Sequence, residues 1–229
     1  MTVRIFANAQ VLAEAAADEV AGWLNVPEGA RTIGLAGGST PRLTYQRLRE
    51  RAVPWRTVHA WMTDERHVPS DHPDSNAAMV RQALFNDIPA TLHDLPWHDD
   101  PQVAAREYED ELAGILASAS GGLQPGLVML GIGDDGHTAS LFPGSSALAE
   151  NRRDYVATFV EGRGWRLTAT LGLLARARRT LFLVTGVAKA GVVAEILGGD
   201  SALPAARVAD ASHDPVFLLD STAASLLDG

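Results

Sequence analysis

The sequence predicts a three-layer α/β fold, with helices on both faces of a mostly parallel sheet. Two observations carry this. Short apolar runs at residues 32–36, 58–62, 127–130, 180–184 and 216–219 read as strands buried on both faces. Between them lie segments long enough for crossover helices, and strands joined through helices pair in parallel. A third observation bears on function: the runs stop at glycines, acids, histidines or hydroxyls. Open α/β sheets bind ligands outside the carboxyl ends of their strands. No repeat, low-complexity tract or long linker interrupts the pattern, so residues 1–229 read as one domain.

In chain order, residues 3–6 begin a strand, and Asn8 is a candidate N-cap for the next helix. From 11 to 24, Val11, Leu12, Ala15, Ala16, Val20, Trp23 and Leu24 recur near helical spacing, and Pro27 and Gly29 end the run. The strand at 32–36 enters Gly37-Gly38-Ser39-Thr40-Pro41, and helical sequence resumes over 42–50 with Leu43 and Leu48 inward. Strand, glycine turn and helix together can hold a phosphate. Glycines let backbone N–H groups approach an anion, Ser39 and Thr40 add hydroxyls, and a helix N-terminus adds partial positive charge. Pro41 suits a first helical turn. The pattern is neither a Walker loop nor a dinucleotide fingerprint, and the same residues also serve as a plain turn.

The strand at 58–62 ends in Thr63-Asp64-Glu65-Arg66-His67-Val68-Pro69, which marks either a functional edge or an ion-paired surface turn. Turn-rich residues 70–76 lead to a helix over 77–85, a weak strand over 92–95, and a strong helix over 101–117 with Glu107 and Asp110 on a solvated face. His93 and His98, beside Asp94, Asp99 and Asp100, match no metal-ligand spacing and read as surface polars. The strand at 127–130 breaks into Gly131-Ile132-Gly133-Asp134-Asp135-Gly136-His137, two carboxylates and an imidazole within seven residues. Taken alone, that loop is equally a solvated Asp/Gly turn. Residues 155–159 and 165–170 alternate as strands, and a helix follows over 171–177. The strand at 180–184 ends at Thr185-Gly186, before a helix carrying Lys189. The strand at 216–219 and a helix over 221–227 close the chain.

Composition excludes several function classes. Apolar residues make up 46% and charged residues 21%, as in soluble globular proteins. No apolar run approaches the roughly 18 residues of a membrane span, and the N-terminal residues lack a signal peptide's apolar core. A cytoplasmic protein without a membrane partner is expected. Without cysteine there is no disulfide, thiolate nucleophile or Cys-based metal site. A net charge of -9 argues against nucleic acid as a partner, so an anionic ligand needs a local positive pocket. Of 19 basic residues, 18 are arginine and one is Lys189. One lysine in so arginine-rich a chain marks either a position needing a compact ammonium or a surface residue kept by chance.

The motifs GGSTP, TDERHVPSDHPDSN and GIGDDGHTASLFPG, in this order, make the chain resemble the 6-phosphogluconolactonases over nearly its whole length, least beyond about residue 195. The resemblance implies the Rossmann-like sheet of the glucosamine-6-phosphate deaminase, ribose-5-phosphate isomerase and CoA transferase-like group. It implies hydrolysis of 6-phospho-D-glucono-1,5-lactone to 6-phosphogluconate in the oxidative pentose phosphate pathway, without metal or organic cofactor. The partner is then the small sugar-phosphate lactone, and a monomer or weak dimer is expected.

The resemblance assigns roles by position. His137 matches the proposed general base, a task suited to an imidazole, and Asp135 is a candidate to orient it. Arg66, with glycine N–H groups near Gly133, would stabilise the oxyanion, and Asp64 would bind sugar hydroxyls. Gly37, Gly38, Ser39, Thr40, Arg166 and Lys189 would hold the phosphate. The deaminase branch differs in reading Asp-Glu-Tyr where this chain has Asp64-Glu65-Arg66. It also carries a glutamate where this chain has Phe142, so the resemblance favours the lactonase. A non-catalytic sugar-phosphate sensor is the remaining alternative. It is disfavoured because no basic DNA-binding segment precedes the first strand.

Overall fold

The structure is a computed structural model that describes residues 1–26, 31–119 and 122–227. Pro27 and Gly29, read as the end of the first helix, lie outside the described residues.

The chain opens with β1 (Thr2–Phe6), α1 (Ala9–Leu24), β2 (Arg31–Leu35) and α2 (Ser39–Leu48). It continues through β3 (Val58–Met62), β4 (Asp64–Arg66), α3 (Asn76–Val80), β5 (Thr91–His93) and α4 (Pro101–Ile115). Then come β6 (Ala117–Ala119), β7 (Gly122–Gln124), β8 (Leu127–Leu130), β9 (Tyr155–Val160), β10 (Gly164–Ala169) and α5 (Leu171–Ala175). The last elements are β11 (Arg179–Val184), α6 (Ala190–Leu197), α7 (Pro204–Ala211) and β12 (Pro215–Asp220).

Seven strands form one parallel sheet in the order β1-β12-β11-β8-β2-β3-β5. Its central strands are largely apolar because both faces are covered, whereas edge strand β1 is exposed. Leu127, Met129, Leu181 and Leu183 pack with Leu12, Leu24, Tyr45, Leu48 and Val80 on one side. Their neighbours Val128, Leu130, Phe182 and Val184 pack with Tyr108, Leu112, Leu173, Val193 and Val208 on the other. This strand alternation sorts α1 to α3 to one layer and α4 to α7 to the opposite one.

The expected three-layer arrangement holds, with local differences. Asn8 caps α1 by accepting from Val11 N–H at 3.0 Å, but Val11 itself is exposed and Ala13, Ala17 and Ala21 complete the buried stripe. Helix α2 starts at Ser39 rather than Arg42, because Gly38 (φ 109°) makes the turn and Pro41 fits the first helical turn. Tyr45 takes an inward place beside Leu48, while Leu43 is half-buried. After Val80 the helix continues as a wider π turn over Arg81–Phe85.

Two readings are corrected, and two strands that were read as such prove to have a sheet of their own. Strands β9 and β10 leave the parallel sheet and pair antiparallel, with β4 as the third strand. The segment after β12 is a series of turns, not a helix. There Asp220 Oδ1 accepts from Ala223 N–H at 2.7 Å and from the Thr222 hydroxyl at 2.8 Å. His93 is not a free surface group: its ring lies 3.0 Å from His59 Nδ1 and 2.7 Å from Glu111 Oε1. Helix α7 and the β6–β7 hairpin have no counterpart in the sequence reading. Among the described residues, no helix is long and apolar enough to cross a membrane.

Candidate active site

The chain runs β2, β3, β5 toward one edge of the sheet and β8, β11, β12 toward the other. Loops leaving β2 and β8 therefore diverge, and such a switch point opens a crevice at the carboxyl ends of the strands. A cavity of about 290 Å³ lies there, walled by the loops after β2, β3, β8 and β11.

One end of the cavity is formed by the glycine turn and the start of α2. The Tyr45 hydroxyl donates to Ala36 O at 2.8 Å and accepts from Ala36 N–H at 3.0 Å, which fixes where β2 stops. Gly37 follows, and a Cβ there would come 1.9 Å from Asn76 Oδ1. Ser39 and Thr40 form the first turn of α2, where backbone N–H groups have no helical partner. Thr40 Oγ1 lies 2.7 Å from Thr185 Oγ1, so β2 and β11 close this wall together. Lys189, in the short turn before α6, also lines the cavity, and its Nζ lies 2.6 Å from Asp134 Oδ1.

The other end holds the titratable groups. Gly133 N–H donates to His137 O at 2.8 Å and Gly136 N–H donates to Gly133 O at 3.0 Å, folding the loop back on itself. Asp135 Oδ1 accepts from His137 N–H at 3.2 Å and also contacts ring Nδ1. Spacing alone left this contact open. Burial pushes the Asp135 carboxyl up, but the bonds from His137 and the charge of its ring outweigh it and hold the group below its ordinary range. A Cβ on Gly133 would stand 2.0 Å from His137 Nδ1, so the imidazole occupies space that only glycine leaves. The Phe142 ring packs 4.3 Å from the His137 ring, under the Arg163 guanidinium at 5.0 Å.

Asp64 is 8% exposed, and its Oδ2 accepts from Ser140 Oγ at 2.7 Å. Burial raises its pKa, against the bond from Ser140 and the charges of Arg66, His137 and Arg166. Arg66 donates through one nitrogen to Asn76 Oδ1 at 2.6 Å and to Asp74 O at 2.7 Å, while Asn76 Nδ2 donates to Asp64 O at 3.0 Å. Glu65 turns away from the cavity. Its two oxygens accept from the N–H groups of Arg66, Asn76 and Ala77 and from Ser75 Oγ, at 2.7 to 2.9 Å, seating the start of α3.

A family model described as "Glucosamine-6-phosphate isomerases/6-phosphogluconolactonase" matches residues 7–217. The chain belongs to this family. It is similar to a 6-phosphogluconolactonase of Synechocystis, 41% identical over 202 residues that span 85% of this chain and 84% of that one. A Mycobacterium tuberculosis 6-phosphogluconolactonase is 33% identical over 243 aligned residues, covering 99% and 98% of the two chains. The solved 6-phosphogluconolactonase of Trypanosoma brucei superposes with a TM-score of 0.88 at 32% identity, covering 99% and 98%.

Of the residues that the family resemblance singled out, Gly37, Gly38, Ser39, Thr40, Asp64, Arg66, Gly133, His137 and Lys189 line the one cavity. Asp135 stands behind His137 rather than on the wall. Arg166 is not on the wall either. It lies directly across the β4–β10 pair from Arg66, and donates to Trp165 O at 3.0 Å. Burial and then the like charge of Arg66 lower its pKa. The Gly133 N–H is also taken, by His137 O, and is not free to meet an oxyanion. Sequence reasoning missed Asn76, Thr185 and Ser140. Asn76 closes the same TDERHVPSDHPDSN motif as Arg66 but was given no role, and no spacing signal ties it to Gly37. Among the described residues no cluster of three or more metal-ligating side chains occurs.

Proposed function

We propose that this chain hydrolyses 6-phospho-D-glucono-1,5-lactone to 6-phospho-D-gluconate in the oxidative pentose phosphate pathway, with residues 1–229 acting as one sugar-phosphate-binding hydrolytic domain. The observation that carries the reading is the Asp135–His137 pair at one end of a cavity whose other end is an N–H and hydroxyl cradle with Lys189 beside it. The names of the family's relatives support the substrate class.

In this reading the phosphate rests on the first turn of α2, with Thr40 and Lys189 as side-chain ligands. Asp135 holds Nδ1, which leaves Nε2 of His137 to take a proton from water as its oxygen bonds to the lactone carbonyl carbon. Arg66, anchored by Asn76, faces the oxyanion that develops. Collapse breaks the bond from that carbon to the ring oxygen. The proton held by His137 passes to the ring oxygen, now a hydroxyl, and the new carboxylic acid ionises. Asp64 holds sugar hydroxyls, and Arg166 adds positive potential from behind Arg66. Phe142 sits where the deaminase branch carries a glutamate and provides no group to relay a proton to an amine. The working unit is a cytoplasmic monomer or weak dimer.

A pair of assays tests this reading. Freshly generated phosphogluconolactone should be hydrolysed well above its spontaneous rate, and glucosamine 6-phosphate should release no ammonia. Ammonia release without lactone hydrolysis overturns the assignment.

A further inference from the structure

The ammonium at the phosphate end of the cavity already has an anionic partner. Lys189 Nζ lies 2.6 Å from Asp134 Oδ1, with the lysine side chain 24% exposed and the aspartate 77% exposed. The lysine is thus held at the wall, and the carboxylate is the member with room to move. Among the described residues, Lys189 is the one ion-pair partner of Asp134. The loop on either side of Asp134 is pinned by the Gly133–His137 and Gly133–Gly136 backbone bonds. Asp134 can therefore rotate outward without disturbing His137. A phosphate on Ser39 and Thr40 brings negative charge to the same ammonium.

We propose that Asp134 is a displaceable stand-in for the substrate phosphate: it neutralises Lys189 in the free protein and competes with the phosphate for it. The inference rests on the reading of Lys189 as a phosphate ligand. Its consequence is an affinity set below what the cradle and lysine alone would give. Substrate and product carry the same phosphate, so the carboxylate weakens both and speeds release of the product. Binding that is equal in ground and transition states brings no gain in turnover, so this loss of affinity is tolerable.

Calorimetric titration with inorganic phosphate and with 6-phosphogluconate tests the proposal on the parent, Asp134→Asn, Lys189→Ala, the double variant and Asp210→Asn, an exposed acid on α7. Asp134→Asn should bind both ligands about threefold tighter, the scale of a partly exposed ion pair. The gain should vanish in the Lys189→Ala background and be absent in Asp210→Asn. If Asp134→Asn binds equally or more weakly while Lys189→Ala weakens binding, the carboxylate positions the lysine and the competition is refuted, with the phosphate role of Lys189 intact. If Lys189→Ala leaves binding unchanged, that role falls and the proposal with it. An equal gain in Asp210→Asn would reduce the effect to net charge and also overturn it.

Discussion

The Asn76 carboxamide fills the space that a side chain on Gly37 would need: a Cβ there would lie 1.9 Å from Asn76 Oδ1 and 2.4 Å from its Cγ. The same Oδ1 accepts from Arg66, and Nδ2 donates to Asp64 O. The Gly37 turn and Arg66 are therefore set against each other through one amide.

Gly37→Ala should push Asn76 away and release Arg66. Overpacking of this kind costs about 1–3 kcal/mol, and thermal unfolding should show the loss. The kinetic effect should reach both substrate classes: with Arg66 at the carbonyl, as proposed, kcat falls with phosphorylated and unphosphorylated lactone alike. An effect confined to KM for the phosphorylated lactone would show that Asn76 does not transmit the change.

His137→Ala should lower kcat by about 10²–10⁴, the usual contribution of a positioned general base, with product binding kept. Asp135→Asn should cost less, because the ring survives and loses only the partner at Nδ1. Steady-state rates of both variants on one substrate decide it. Near-normal turnover without the imidazole would remove it from the mechanism.

Asp64→Asn should stabilise the fold and impair catalysis. The folded-state pKa of Asp64 is raised, chiefly by burial, so ionising it costs stability. A raised folded value gives a contribution fully present below the unfolded value, near the ordinary 3.8, and lost as pH rises through the folded value. The parent and the Asn variant should therefore have matching melting temperatures at the acid end and diverge as pH rises, the variant higher. A gap that shrinks with rising pH would contradict the burial argument.

Glu65→Gln should destabilise without touching the cavity directly. Each carboxylate oxygen accepts two donors: Oε1 from the Arg66 and Asn76 N–H groups, Oε2 from the Ala77 N–H and the Ser75 hydroxyl. An amide must turn its NH₂ toward one of these pairs, leaving buried donors facing a donor at about 1–3 kcal/mol. Denaturant unfolding should register the loss. An unchanged midpoint would mean that the start of α3 does not depend on this cap.

Local rules made much of this legible. The strands at 58–62 and 127–130 were readable to the residue because strands buried on nearly every position leave few polar residues to blur them, His59 alone in these two. The glycine turn into α2 was readable because Gly38 and the first turn of α2 are contiguous in sequence. Strands β9 and β10 were found, but not their sheet: alternation identifies a strand and says nothing of its partner, and three-residue β4 is too short to carry any pattern.

The sequence by itself determined the order of layers, the loops that meet at the carboxyl edge, and the glycines that leave room there, since each follows from periodicity or backbone freedom over a few neighbouring residues. Tertiary structure alone decided that Asp135 reaches His137, that Arg166 faces Arg66 instead of the cavity, that Asn76 joins the two ends of the site, and that Lys189 is held by Asp134. The Arg166, Asn76 and Lys189 contacts link positions far apart in sequence. For Asp135 and His137, two apart, a flexible glycine loop has many shapes, and only the fold selects one.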